Sequence, residues 1–143
     1  MRKAGKVFGL VASLVLALAS TGAHAGQDIL LASAARTSTN TGADQYASGI
    51  HCAHFVLNVT AVPGVETITP KIQGKDPLGV YYDLLVGNAI VATGTTVLKV
   101  CRGIAPSANT AAEDFLPDIY RVVITHSAAG SFTYSLTRNS IKE

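Results

Sequence analysis

The sequence predicts an all-β fold, a single antiparallel β-sandwich of the jelly-roll or Ig-like type with about eight short strands. Three observations support this prediction. Several stretches alternate apolar and polar residues with a period of two, most clearly between residues 51 and 62. Turn signals containing Gly or Pro separate such stretches every ~8–12 residues. No segment has the apolar spacing of an amphipathic helix of ordinary length.

The first 25 residues have the pattern of a secretory signal peptide. Basic residues near the start precede an apolar run over residues 7–19, which is shorter than the ~20 apolar residues that a membrane span needs. Ala23 and Ala25 are small residues at the two positions that a leader peptidase reads, which predicts cleavage before Gly26. We therefore expect a signal peptide at residues 1–25, one β-sandwich domain at 26–143, and no stable membrane insertion after cleavage. The alternative is an uncleaved anchor.

The basic excess of the full chain comes from this leader. The 143 residues include 11 Lys and Arg against 9 Asp and Glu, a net charge of +2. Arg2, Lys3 and Lys6 lie in the predicted leader, so the remainder has eight basic and nine acidic residues, a net charge of −1. Nucleic-acid binding requires a clustered positive footprint, so we expect no nucleic-acid partner.

The first half of the domain is predicted to contain two strands separated by a loop. Residues 29–35 form a short apolar strand, and the polar residues 37–44 form the loop. In the strand over residues 51–62, the alternation places Phe55 and Leu57 on the buried face.

A hairpin is predicted next, because Asp76-Pro77-Leu78-Gly79 is a strong turn signal between two alternating stretches. Its first strand contains Pro70, which cannot donate a backbone hydrogen bond. We therefore expect this strand to lie at a sheet edge or to carry a bulge.

The second half predicts a further hairpin, an irregular segment and a closing pair of strands. Residues 89–92 and 95–102 flank a Thr-Gly turn, which favours a hairpin. Residues 111–115 have the composition of one helical turn, too short to be stable alone. The stretches 120–124 and 132–136 alternate on either side of a short polar turn.

Two cysteines, Cys52 and Cys101, lie in the predicted exported domain. An even cysteine count in an oxidising compartment favours a disulfide, and the strand phase places both thiols on the outer side of their strands. Two free thiols or an intersubunit bond are the alternatives. A metal site formed by His54, Cys52 and Cys101 is a further alternative, with His51 and His126 as additional ligand types.

The sequence contains none of the motifs that mark common catalytic sites. It has no G-x-S-x-G elbow, no phosphate-binding glycine loop and no H-E-x-x-H pair, so we expect a protein that is not an enzyme and needs no cofactor. The candidate binding residues are Tyr81 and Tyr82, since exposed Tyr combines apolar area with a hydrogen-bonding hydroxyl, and Asp76 of the adjacent turn.

Several stretches, in order and at similar spacing across most of residues 33–138, carry a family resemblance. They are residues 68–77, 81–85, 92–95, 116–117, 120–122, 125–126 and 133–135. Together they resemble small virion proteins of tailed bacteriophages. That resemblance implies a compact β-sandwich with a structural role on the phage head, as a decoration or minor capsid component. The leader and the cysteine pair depart from that family and indicate a relative, of phage, prophage or domesticated origin, that works outside the cytoplasm.

These observations combine into one expectation and one alternative. We expect a non-enzymatic structural or surface-interaction protein that self-associates as a homo-oligomer or binds a larger protein assembly such as a capsid or cell surface. Its location is periplasmic or extracellular, and on the virion if the resemblance extends to function. The alternative is a secreted module that binds a glycan or a surface protein through Tyr81, Tyr82 and the Asp76 turn, or, third, an exported metal-binding protein.

Overall fold

The computed structural model of this chain describes residues 24–142, with side chains from Gly26 onward. This part of the chain forms strands and turns, which confirms the all-β prediction. Within it, no helix has the length and apolar character that crossing a membrane requires. The predicted signal peptide lies outside the described residues, apart from the backbone of His24 and Ala25 at the start of the first strand.

In residues 24–142, ten strands form two sheets, and nearly all neighbouring strands are antiparallel. The strands are β1 (His24–Arg36), β2 (Asn40–Thr41), β3 (Gln45–Tyr46), β4 (Ile50–Ala61), β5 (Ile68–Lys75), β6 (Tyr81–Val86), β7 (Gly94–Cys101), β8 (Ala111–Ala112), β9 (Ile119–His126) and β10 (Phe132–Lys142). The first sheet has the order β1-β10-β4-β7-β8, and the second has the order β2-β9-β5-β6 with β3 also paired to β9. The short β8 runs parallel to β7.

The first sheet is built on the alternation that the sequence shows in β4. Phe55 and Leu57 are buried, whereas Asn58 on the other face is exposed. Register places Leu57 opposite Leu136 of β10, and Phe55 opposite Leu98 of β7. Because residues directly opposite each other point to the same face, the three strands present one mainly apolar face, which also contains the buried Arg138 of β10.

The second sheet contributes the other side of the same core. Ile72 of β5 is opposite Val122 of β9, and both are buried. The Tyr120 ring of β9 meets the Phe55 ring of β4 edge to face, with ring centroids 5.7 Å apart. Side chains of the two sheets therefore share a single hydrophobic cluster, which buries the large residues of β4, β5, β9 and β10.

The predicted hairpin of β5 and β6 is confirmed. Of the two alternatives predicted for the strand with Pro70, the edge position is wrong, whereas the β5–β6 register does shift, between Ile72 and Gln73, as at a bulge. Strand β5 lies between β9 and β6. Pairing with β6 begins only at Lys71, and beyond the end of β6 the Gly87 amide donates to the Pro70 carbonyl at 2.8 Å. A residue in an antiparallel strand directs its N and its C=O to the same side. The Pro70 nitrogen therefore points towards the β6 side of the strand, at a position that lies beyond the end of β6.

Three further local predictions are wrong. Residues 89–92 form no hairpin with β7, because Ile90 makes an isolated bridge to Ile68 and β7 pairs with β4. Residues 111–112 form β8 and not a helical turn. Strands β9 and β10 follow each other in the chain but belong to different sheets. Alternation reveals which face of a strand is buried, but it carries no information about the neighbouring strand.

Candidate functional site

Cys52 and Cys101 form the predicted disulfide between β4 and β7. The two residues are directly opposite in register, with Cα atoms 4.1 Å apart, and no free cysteine remains in the described part of the chain. The alternatives of free thiols and of an intersubunit bond are therefore wrong for this structure. Cys52 is half-buried as expected on the outer face, whereas Cys101 is buried.

His54 lies beside this disulfide on the same face of the first sheet. Its closest ring nitrogen and the two sulfur atoms all lie within 4.8 Å of one another. Burial, and secondarily the positive charge of Lys99 across the strand pair, lower the pKa of His54 below its ordinary value. The structure thus brings together the three residues of the metal site that was the alternative prediction. Because both cysteines are in the disulfide, neither sulfur is a thiolate ligand. His126 belongs to β9 of the second sheet.

A small cleft opens at this cluster. It has a volume of about 180 Å³ and is lined by residues of the first three strands of the sheet: Gly26, Gln27, Cys52, His54, Asn139, Ser140 and Ile141. Gln27 and Asn139 share the face of His54, because Asn139 is the register partner of both Gln27 and His54. Ser140 faces the core opposite Ala53, is buried, and donates its hydroxyl to the Gly26 carbonyl. The lining next to His54 is therefore mainly apolar, with Gln27 and Asn139 as its polar side chains.

Tyr81, the first candidate binding residue, is held in a network of charged side chains. Its hydroxyl donates to the Asp44 carboxylate, which also accepts from Lys75 Nζ at 2.7 Å. The Arg121 guanidinium stacks on the Tyr81 ring, 3.4 Å from the ring centroid. The hydrogen bonds from Lys75 and then Tyr81 lower the pKa of Asp44. Tyr81 is thus engaged within the protein, on the outer face of the second sheet.

Tyr82, the second candidate, lines an open groove beside the hairpin. Its ring lies over Gly74 and against Pro117, so closely that a Cβ on Gly74 would be 2.8 Å from Tyr82 Cζ and 2.7 Å from Pro117 Cγ. Phe115, which is 60% exposed, lines the same groove. The groove has a volume of about 440 Å³ and also includes Lys75, Asp76, Pro77, Leu116, Asp118 and Ile119.

Asp76 stabilises the turn of this hairpin from within. Its Oδ1 accepts hydrogen bonds from the backbone amides of Leu78, at 2.9 Å, and Val80, at 2.7 Å. The turn therefore presents Leu78, 89% exposed, and Val80, 59% exposed, to solvent. We call the exposed residues Leu78, Val80, Tyr82 and Phe115 the hairpin-tip surface.

The free edge of β1 is the other exposed feature of the described residues. Within them β1 pairs only with β10, and two register shifts interrupt that pairing, one at Ile29/Leu31 and one at Leu31/Ala34. At the second shift the Arg36 guanidinium donates to three backbone carbonyls, those of Ala32 (2.8 Å), Ala34 (3.1 Å) and Tyr134 (2.8 Å). Bulges and charged side chains are devices that keep an edge from pairing with another chain.

Sequence reasoning found Tyr82 and the turn but missed the residues that complete the groove. Phe115 and Pro117 lie in an irregular segment more than thirty positions after Tyr82. The signal that could have identified them is an aromatic residue followed by Leu-Pro in a segment without strand alternation. Asp44 and Arg121, the partners of Tyr81, carried no sequence signal.

Comparison with known proteins adds no relative. No protein-family model matches the chain, and no curated protein matches it significantly.

Proposed function

We propose that this protein is an exported, non-enzymatic structural protein that associates with other protein subunits, first of all with further copies of itself, through the hairpin-tip surface. In this proposal the two sheets form a β-sandwich that remains after removal of the signal peptide at residues 1–25. The disulfide supports the location outside the cytoplasm, since such bonds persist in oxidising compartments.

The exposure of large apolar side chains at one place is the observation that carries this proposal. Leu78, Val80, Tyr82 and Phe115 are all exposed, and Tyr82 and Phe115 line one groove. Exposed apolar surface that is contiguous and rimmed by polar groups is typical of interaction sites, and aromatic residues are enriched at protein interfaces. Lys75, Asp76 and Asp118 supply such a rim here.

The free edge of β1 is the less suitable interface. A second chain could extend the first sheet only along an unbroken row of backbone groups. The two register shifts break that row, and Arg36 holds the irregular stretch of β1 to β10 by donating to the carbonyls of both Ala34 and Tyr134. The structural role on a larger assembly, as in the phage virion proteins that the sequence resembles, is therefore assigned to the hairpin-tip surface.

A second candidate function uses the same groove for a different ligand. An exposed aromatic ring beside polar side chains is also suited to stacking on a sugar ring, and the ring of Tyr82 is 42% exposed and not buried in the core. This observation favours a secreted glycan-binding module with Tyr82 and the Asp76 turn as its contacts.

Sedimentation of the exported, disulfide-bonded protein tests the leading proposal. We expect the mass to rise with concentration, and Leu78→Ser and Phe115→Ser to shift the protein towards monomer. Val65→Ser is the matched control, since Val65 is as exposed as Leu78 but belongs to the turn after β4. A wild-type protein that stays monomeric at every concentration, or a control that dissociates equally, would overturn the proposal. In the monomeric case, loss of glycan binding in Tyr82→Ser would establish the second candidate.

A further inference from the structure

The disulfide region gathers three potential metal donors by register alone. Cys101 is the cross-strand partner of Cys52, and His54 follows Cys52 by two positions on the same strand. Side chains two apart on a strand share a face, so all three donors lie on the outer face of the first sheet. This arrangement does not depend on the bond between the two sulfurs.

The separations match what a tetrahedral metal ion requires. Zinc binds thiolate sulfur at about 2.3 Å and imidazole nitrogen at about 2.0–2.1 Å, which places donor atoms about 3.5–3.8 Å apart. The three donor atoms here lie within 4.8 Å of one another. Small side-chain rotations are therefore enough to close the set around one ion once the sulfurs are separate.

Space for a fourth ligand lies next to these donors. The cleft of about 180 Å³ borders Cys52 and His54, and Gln27 and Asn139 lie on the same face of the sheet as His54. A water molecule or a small anion bound there would complete four-coordination, as in zinc sites that keep one open position.

We propose that the reduced protein binds zinc. After a dithiol reductant has opened the disulfide, Cys52, Cys101 and His54 bind one Zn²⁺. The dithiol loses two electrons and two protons and becomes a disulfide, while the protein disulfide becomes two thiols. Metal binding then releases those two protons, because the thiolate is the ligand. Zinc and the disulfide are mutually exclusive, since each uses both sulfurs. This inference is independent of the hairpin-tip surface.

Zinc titration of the reduced protein against a chromophoric chelator tests the proposal. A phosphine serves as the reductant in the experiment because it does not hold zinc as a dithiol would. We expect one Zn²⁺ per chain with the reduced protein and none with the disulfide form. Cobalt in place of zinc should give a thiolate-to-metal charge-transfer band only after reduction. Failure of the reduced protein to bind zinc at one equivalent would overturn the proposal.

Variants identify the ligands. His54→Ala should weaken zinc binding at least about tenfold, because even partners of metal ligands contribute about 10–100-fold. His51→Ala is the matched control, since His51 is not among the clustered donors. Lys99→Met should change the affinity little, because Zn²⁺ replaces two protons and the net charge opposite Lys99 stays the same. Equal affinities of the two histidine variants would overturn the assignment of His54.

If reduction destabilises the fold, thermal unfolding still tests the proposed zinc site. Zinc that binds the native reduced state raises its Tm, or restores β circular dichroism to a chain unfolded by reduction. This effect should be lost in His54→Ala and retained in His51→Ala. A reduced chain that zinc neither stabilises nor refolds would contradict the proposed site.

Discussion

Arg138 and Tyr120 join the two sheets by a side-chain hydrogen bond, in which the guanidinium of β10 donates to the phenol oxygen of β9. Arg138 is only 7% exposed. Its Nε also donates to Asp28 Oδ2 at 3.1 Å, and Asp28 is its register partner in β1. A buried cation is tolerated only when charge and hydrogen-bonding partners compensate for lost hydration. The pair with Asp28 therefore lets Arg138 link β1, β10 and β9.

Replacing Asp28 should show how much this compensation contributes. Asp28→Asn removes the negative charge next to the buried guanidinium, and we expect the free energy of unfolding to fall by about 1–3 kcal/mol. Asp83→Asn is the control, because its cation Lys71 is 32% exposed whereas the Arg138 side chain is 8% exposed, and pairs with a hydrated cation contribute about 0–1 kcal/mol. Urea unfolding of both variants measures the difference. Equal losses would show that Arg138 does not depend on Asp28.

Removing the disulfide should destabilise the fold without changing its architecture. The bond joins residues 49 positions apart, for which the chain-entropy argument gives about 4 kcal/mol, and measured values are typically about 2–4 kcal/mol. We expect a loss in that range for Cys52→Ser combined with Cys101→Ser, measured by urea unfolding. Adding a reductant should destabilise the wild type and leave the double variant unchanged. A double variant as stable as the oxidised wild type would contradict this account.

Which side chains are buried was predictable because alternation is a local property. Phe55 and Leu57 of β4 are buried as predicted, and so is Ile72 of β5. The same alternation in β9 and β10 suggested a closing pair, yet the turn between them crosses from one sheet to the other. Pairing is decided by contacts between strands far apart in the chain, so no local pattern reveals it.

The candidate site was likewise predictable only where its residues carry a local signal. Cys52 and Cys101 could be paired because only two cysteines exist, and Tyr82 was identified because it adjoins a turn signal. The groove against Phe115 depends on how a segment without strand alternation folds back onto the hairpin. That placement follows from tertiary packing, so it could not be predicted from the sequence.

Arg36 should protect β1 from association with other chains. Arg36→Ala removes three hydrogen bonds to backbone carbonyls and the contact with the Tyr134 ring, 4.6 Å from its centroid. We expect a loss of about 1–3 kcal/mol and faster aggregation, because the irregular pairing of β1 with β10 loosens and leaves backbone groups available to another strand. Arg36→Lys should rescue only partly, since an ammonium group cannot bridge several carbonyls as a guanidinium does.

Thermal unfolding measures the loss of stability, and light scattering measures the rate of aggregation. Arg102→Ala is the control, because Arg102 is an exposed arginine in the turn after β7. If both alanine variants aggregate at the same rate, net charge and not edge protection explains the effect.

The stability of the fold should fall as the solution becomes mildly acidic. Burial lowers the pKa of His126, and the positive charge of Arg36 adds to this effect. The unfolded chain therefore binds a proton near its ordinary pKa of about 6.5, at a pH where folded His126 is still neutral. The stabilisation is present above about pH 6.5 and is lost as the pH falls through the folded pKa. A backbone hydrogen bond at Gly130 opposes this effect but does not reverse it, so the pKa of His126 stays below its ordinary value.

Tm measured from about pH 8 to about pH 5 checks the sign. His126→Gln should flatten the acid limb of the profile, and His54→Gln should flatten it further because burial lowers the pKa of His54 as well. An acid limb that is unchanged in the double variant would show that other groups produce it.

Substitutions of Asp76 test whether its hydrogen bonds to the turn stabilise the hairpin tip. Its Oδ1 accepts from two backbone amides, those of Leu78 and Val80, and Gly79 completes the turn with φ of +88°. Asp76→Ala leaves both amides without this partner and should cost about 1–2 kcal/mol, whereas Asp76→Asn retains the acceptor oxygen and should change stability little.

The two variants also separate the proposed functions. If the hairpin tip mediates self-association, Asp76→Ala should weaken it because the turn no longer holds Leu78 in place, and Asp76→Asn should not. If Asp76 instead contacts a glycan through its charge, Asp76→Asn should lose glycan binding while the turn remains stable. Sedimentation and glycan titration of both variants distinguish these outcomes, and a neutral Asp76→Ala in every measurement would mean that the turn does not need Asp76.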